Sequence, residues 1–275
     1  MPDAPTGSEA PVLRTASGAT ARWHGSADAG PVLVTWPALG VPAAPYGRFA
    51  RAAAATGLTV VTADYRGQGD SDLRVTRDSR FGYRELAGED LRDVVLAVRD
   101  RAAGRPVHLV CHSLGGQLAA ALEADHPGCF DGLVLAAAGT PHWRAYPGWT
   151  RAIPLVSTHV LLASARLRGV LDSKRLGRQP ATLVADWARM ARTGSWARGG
   201  HRTEPRRFPL LAVSFEGDSL APRGAVDALC RLFPGADVTR RHLSEPRGHA
   251  GWLREPDALV AALRAWLDDR EADRP

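Results

Sequence analysis

Lysine is nearly missing from this 275-residue chain: Lys174 stands alone among 35 basic residues. The other 34 are arginine, a skew that GC-rich coding explains more simply than a binding role does. Cysteine is scarce as well. Cys111, Cys129 and Cys230 are an odd, scattered set, which excludes a disulfide framework; with no C-x-x-C pair, they suggest no metal site either. No apolar run approaches the roughly 18 residues that would span a bilayer, so no transmembrane helix is expected. The opening "MPDAPTGSEAP" has no basic start and no apolar core, and does not read as a signal peptide. A cytoplasmic protein with no membrane partner is the expectation. The first ten or so residues are expected to be mobile. Internal repeats are absent. The net charge of +6 is uneven: 13 basic and three acidic residues lie between Thr140 and Arg207, a net of +10, which leaves −4 for the rest. Nucleic-acid binding calls for a known module or a basic stripe interleaved with aromatics; no such module is present, and no nucleic-acid partner is expected.

What the chain does have is rhythm. "PVLVTW" (31–36), "TVVTADY" (59–65), "PVHLVC" (106–111), "DGLVLAAAG" (131–139) and "PLLAVSF" (209–215) read as buried strands, and "ADVTRRH" (236–242) as a last, less apolar one. Helical spacing falls between them. Tyr46, Phe49, Ala50 and Ala53 share a face, with Gly57 suited to a C-terminal cap. Leu91, Val94, Val95 and Val98 fall at i, i+3, i+4 and i+7 within 84–104, stopped by Gly104. Further helices are predicted over 115–127 and from Pro222 to Phe233. A closing one carries Leu259, Leu263, Trp266 and Leu267 on one side and Pro256 near its start. Strands alternating with helices indicate an α/β fold with a mostly parallel central sheet flanked by helices. The length fits one domain, 1–275. Residues 140–207 break the rhythm with prolines, glycines, arginines and four of the eight tryptophans. They read as an insertion above the sheet rather than a second domain.

The chemistry starts at "LVCHSLGGQ" (109–117), where a strand ends at Ser113 and a helix leaves through Gly115 and Gly116. A nucleophile elbow places its serine on such a strained strand-to-helix turn, with small flanking residues that let the backbones approach. Gly115 supplies one. Cys111 stands where the G-x-S-x-G pattern has the other, so a slightly altered elbow is expected, its Cβ accommodated beside the next helix. The alternative is a serine that merely caps a helix. His112, adjacent to it, is not expected to be the base. A serine nucleophile needs a base, and the base an orienting acid, in the chain order Ser, Asp/Glu, His. "FEGDSLAP" (215–222) follows a strand and offers Asp218, with Glu216 as rival. "EPRGHAGWLREP" (245–256) offers His249 between Gly248 and Gly251, with His242 as rival inside the preceding strand pattern.

With "DYRGQGDS" (64–71), "HSLGG", "GDSLAP" and "GHAGWLRE" in this order, the chain resembles the α/β-hydrolase superfamily over nearly its whole length. "PALGVPAAPY" (37–46) and "DWARM" (186–190) make it similar to a bacterial branch of α/β hydrolases related to serine aminopeptidases. The resemblance implies an oxyanion hole of two backbone N–H groups, one from the residue after the nucleophile and one from the loop before the first long helix. Leu114 gives the first. Many family members carry His-Gly in that loop, and this chain reads "WPALG"; Pro37 has no N–H, which leaves Ala38 or Leu39, with Leu39 favoured. Asp64, Arg66 and Asp70 are expected to order a loop beneath the site. The 140–207 insertion falls where this fold carries its lid, and Trp143, Trp149 and Trp187 are candidates to line an apolar acyl site. The expected activity is hydrolysis of an ester or thioester through an acyl enzyme on Ser113, with no cofactor and no metal. A coenzyme A or acyl-carrier-protein thioester would suit the +10 charge by steering. Acyl transfer or cyclisation, lyase-type chemistry on the same residues, and a catalytically dead ligand-binding protein remain open alternatives.

Overall fold

β-Branched runs build the sheet. The structure, a computed structural model, describes residues 12–25, 30–197 and 205–272; the expected mobile stretch at 1–10 lies outside the described residues. The strands are β1 (Val12–Arg14), β2 (Thr20–His24), β3 (Val32–Trp36), β4 (Thr59–Asp64), β5 (Val107–His112), β6 (Gly132–Ala136), β9 (Pro209–Phe215) and β10 (Asp237–Leu243). A separate hairpin pairs β7 (Val170–Ser173) with β8 (Gly177–Pro180). The main sheet runs β1-β2-β4-β3-β5-β6-β9-β10. From β4 to β10 every pairing is parallel; β2 joins antiparallel to β4, and β1 antiparallel to β2. β3, β4, β5 and β6 are buried along their whole length, as a parallel sheet covered on both faces requires.

The helices cover it in two layers. They are α1 (Gly47–Ala55), α2 (Tyr83–Glu85) leading through a π-helical stretch (Leu86–Leu91) into α3 (Arg92–Arg101), α4 (Leu114–Asp125), α5 (Ala152–Arg168), α6 (Ala181–Thr193), α7 (Arg223–Cys230), α8 (Gly251–Arg254) and α9 (Asp257–Ala272). Side chains alternate along each strand, so Leu109 and Cys111 of β5 join Val94, Val98 and Leu118 of α3 and α4. Val110 joins Phe49 of α1, Trp252 of α8 and Leu263 of α9 on the other side. Burying each such side chain contributes roughly 1.5–3 kcal/mol.

The chain order reverses between β3 and β5. In a doubly wound sheet the loops at the carboxyl ends beside that reversal converge on one crevice. Here they are the loop after β3 (37–40) and the turn after β5 (Ser113). Residues between β6 and β9 form two short 3₁₀ turns, Trp143–Ala145 and Gly148–Arg151, then α5, the β7–β8 hairpin and α6. They share a small apolar cluster of Leu162, Ala165, Leu171, Val184 and Ala188, and α6 buries Leu183 and Met190 in the main core.

Candidate active site

Ser113 sits between β5 and α4 with φ 53° and ψ −114°. A non-glycine residue there costs on the order of 1–3 kcal/mol and persists only when its surroundings impose it. Gly115 shows what imposes it: a Cβ at that position would stand 2.5 Å from the Trp36 carbonyl oxygen of β3. The helix can therefore start hard against the sheet only through a glycine. Ser113 makes no side-chain capping bond to α4, and its hydroxyl has no hydrogen-bond partner among the described residues, His249 included. Cys111 packs inside the main core on the α4 side, fully buried; burial pushes its thiol far above the usual range, so it stays a neutral, inert side chain.

The acid and the histidine come together from different loops. His249 Nδ1 lies 2.9 Å from Asp218 Oδ2 and 3.1 Å from Oδ1. The Asp218 side chain is fully buried, and Oδ1 also accepts the N–H groups of Leu220 and Ala221, each at 2.9 Å. An ionised carboxylate only accepts, so Nδ1 of His249 carries the proton and Nε2 of the neutral ring carries the lone pair of a base. A bond from the Gly248 N–H to the Glu216 carbonyl, 2.8 Å, ties the histidine loop to the acid loop. The rivals Glu216 and His242 pair with each other instead: His242 Nε2 is 3.0 Å from Glu216 Oε2, and its Nδ1 is 3.0 Å from Ser214 Oγ. The Ser214 side chain is buried.

A third histidine holds the site from behind. The carbonyl of His249 can only accept, so His112 Nε2, 3.0 Å away, donates to it. Burial, with His249 nearby, holds His112 well below the usual histidine range, so its Nδ1 is an acceptor. Tyr46 supplies the proton to it at 2.8 Å, and the Tyr46 oxygen in turn accepts the Ala38 N–H at 2.9 Å. The chain Ala38–Tyr46–His112–His249 thus links the loop after β3, the elbow and the histidine loop through bonds whose direction is fixed at each step. Trp252 packs edge-on against both Tyr46 and His112. No sequence pattern announces this link, because its members are 66 and 137 residues apart and meet only in the fold.

The same network sorts the oxyanion-loop candidates. Pro37 has no N–H, Ala38 spends its own on Tyr46, and the Gly40 N–H donates to the Tyr65 hydroxyl at 3.3 Å. The N–H of Leu39 has no partner among the described residues. Neither has that of Leu114, the first residue of α4, where an intrahelical acceptor is missing by construction. Gly40, at φ 74°, presses directly on the β7–β8 turn; a Cβ there would fall 2.2 Å from the Leu176 carbonyl oxygen.

Asp64 accepts the N–H groups of Ala43 (2.7 Å) and Asp70 (3.2 Å). Arg66 is gripped by the buried Asp90 through its backbone N–H and its Nε, both at 2.8 Å. The Asp70 carboxylate reaches Arg22 at 3.4 Å. All three side chains are engaged in holding the loop after β4 together. The tryptophans scatter. Trp187 is half-buried and packs on the main core. Trp143 is half-buried, with the Arg144 guanidinium 5.2 Å above its ring. Trp149 is 79% exposed and stands on the outer surface. Among the described residues no group of side chains is arranged to hold a metal ion.

A family described as serine aminopeptidase, S33, matches residues 32–189. No curated protein matches the chain by sequence. Among solved structures, a soluble variant of monoglyceride lipase from Saccharomyces cerevisiae, in complex with a substrate analogue, has a TM-score of 0.72 at 13% identity, covering 98% of each chain. Alpha/beta hydrolase domain-containing protein 10 from mouse has a TM-score of 0.60 at 17% identity, over 95% of this chain and 99% of its own. An esterase from Rhodococcus sp. has a TM-score of 0.56 at 20% identity, over 95% and 99%. At these identities the structures establish the α/β-hydrolase fold and no more.

Proposed function

We propose that this chain, which belongs to the serine aminopeptidase S33 family of α/β hydrolases, is a serine hydrolase that cleaves an ester or thioester through an acyl enzyme. The observation that carries this reading is Ser113 on its positive-φ turn at the sheet's reversal, next in sequence to His112, which bonds the carbonyl of a histidine whose Nδ1 is held by a buried carboxylate. Ser113 Oγ attacks the acyl carbonyl. Nε2 of His249 takes its proton and returns it to the leaving oxygen or sulfur, while Asp218 stabilises the ring as it becomes charged. The N–H groups of Leu39 and Leu114 stabilise the oxyanion, and water, deprotonated by the same histidine, releases the acid.

Trp187 and Trp143 are the better placed of the three tryptophans to border an acyl group, since Trp149 faces outward. The insertion is read as a lid over the site, and its net charge of +10 favours a substrate with an anionic leaving group such as coenzyme A or acyl carrier protein. The test is intact mass after exposure to a fluorophosphonate: a single adduct on the wild type, absent from Ser113→Ala, supports the reading, and no adduct on either sinks it. Turnover of nitrophenyl esters of graded chain length, of acyl thioesters at low and high salt, and of aminoacyl nitroanilides then separates esterase, thioesterase and peptidase activity. Acyl transfer would show as product retained on an added amine or alcohol.

A further inference from the structure

We propose that the outward face of α5 is a docking surface for an anionic lipid membrane. A surface helix of a globular protein carries apolar residues on one side and charge on the other. α5 does not. Its inner side buries Pro154, Thr158, Leu162 and Ala165. On the opposite side, Ile153, Val156, Val160 and Leu167 are exposed, and Trp149, in the 3₁₀ turn just before the helix, extends the same stripe. Steps of three, four and seven residues keep the helical members on one line. Their exposure runs from 48% at Ile153 to 88% at Leu167. Single exposed apolar side chains need no explanation, but a continuous stripe marks a surface that something covers. From Ala152 to Ala165 no residue is charged. Arginines stand at the two ends, Arg151 before the run and Arg166 and Arg168 after it, none in an ion pair among the described residues.

The charge selects the occupant. The 140–207 segment carries a net +10, which an anionic surface attracts at roughly fivefold in partitioning for each arginine it receives. A second copy laid stripe to stripe would set these same arginine ends, and the same excess charge, against each other. A helix of 17 residues lies in the interface with its arginines reaching to the headgroups; no described helix is long and apolar enough to cross. The chain just ahead of the stripe touches the acid loop. Tyr146 donates from its hydroxyl to the Leu220 carbonyl at 2.7 Å, and Leu220, 61% exposed, follows Asp218 by two residues. A docked α5 would therefore bring the acid-loop side of the site toward the lipid surface. This last step rests on the hydrolase reading; the docking itself does not. The expectation of no membrane partner came from the length of apolar runs, a measure that does not register a face whose apolar residues are three, four and seven positions apart in the chain.

The test is co-sedimentation of the full chain with vesicles of phosphatidylcholine alone and with added phosphatidylglycerol, at low and high salt. Binding to the anionic vesicles, released by salt, is expected, with about tenfold or greater loss in V156D/V160D and a weaker, salt-like loss in R151S/R168S. V156S/V160S adds no charge and keeps the test usable if the aspartates disturb folding; it should lose binding to a lesser degree. Turnover of a short, water-soluble nitrophenyl ester without vesicles should be equal in wild type and variants. Binding without any such turnover would overturn the hydrolase reading and leave the docking surface standing. The proposal is overturned if the wild type stays in the supernatant with anionic vesicles at low salt, or if the valine variants bind as it does. It is overturned equally if sedimentation equilibrium shows a dimer that V156D/V160D splits, which would assign the face to a second copy.

Discussion

Two acid–histidine pairs stand side by side at the end of β9, and only one has an enclosed carboxylate. Asp218 and Glu216 are two residues apart, and each reaches a histidine with an oxygen–nitrogen distance near 3 Å. Asp218 is enclosed, and it accepts two backbone N–H groups besides its histidine. Glu216 lies at the surface, and the His242 beside it holds its carboxyl below the usual range; its histidine spends the other nitrogen on the hydroxyl of buried Ser214. A pair open to water on the glutamate side is screened, and its partners exchange readily with solvent. A buried carboxylate with three donors is fixed in place, and it fixes the ring it holds. Spacing and residue type are nearly the same for both pairs; burial and the number of fixed donors separate them.

The comparison breaks first, and hardest, at the centre. Ser113→Ala and His249→Ala should each lower kcat/KM on a good ester by about 10⁴-fold or more, with little change in Tm. Asp218→Asn should cost roughly 10³–10⁴-fold, since an amide can present its N–H to Nδ1 and favour the wrong tautomer, whereas Glu216→Gln and His242→Asn should stay within about twofold. Equal losses in the two acid variants would erase the distinction drawn here. Tyr46→Phe removes the hydroxyl between Ala38 and His112; kcat should fall by about tenfold, more than KM changes, as the histidine loop and the Leu39 donor lose their common anchor. His112→Phe should act on kcat in the same direction.

The smallest effect concerns pH and stability. His112 is held neutral by burial, so its folded pKa lies below its unfolded value of about 6.5. The unfolded chain then takes up the proton first, and stability is lost as pH falls below that value, by at most roughly 1.4 kcal/mol per pH unit for the one group. Thermal unfolding between about pH 7.5 and 5 should show Tm declining on the acid side, and His112→Phe should flatten that decline. His24 and His142, also lowered by burial, leave part of the slope in place.

Much of the framework was legible because buried parallel strands read as unbroken apolar runs. β3, β4, β5, β6 and β9 lie within one to three residues of where those runs place them, and α4 begins at Leu114 against an expected 115. The β1–β2 hairpin was not read: "VLR" and "TARWH" are short segments with no strict alternation, and they gain their place through pairing, β2 with β4 and the edge strand β1 with β2. The β7–β8 hairpin was missed for a related reason, since "GRQP" carries little strand signal and is held by pairing with β7, whose Leu171 lies in the small apolar cluster. Of the site, residues in strand-end motifs were legible one by one. Tyr46 read only as a helix-face residue and His112 only as a rejected base, because their roles arise from contacts between distant loops.

The contact between Gly40 and the β7–β8 turn ties two properties that a hydrolase would otherwise adjust separately. The loop that presents the Leu39 N–H has no slack there: its glycine touches the backbone of Leu176 so closely that a single added carbon would collide. A lineage that lengthened or reshaped the 173–177 turn would shift the loop carrying the proposed oxyanion donor as well. On the proposed mechanism, changes in this turn of the insertion would thus arrive together with changes of turnover on every substrate, and a second compensating change near Gly40 would be needed to uncouple them.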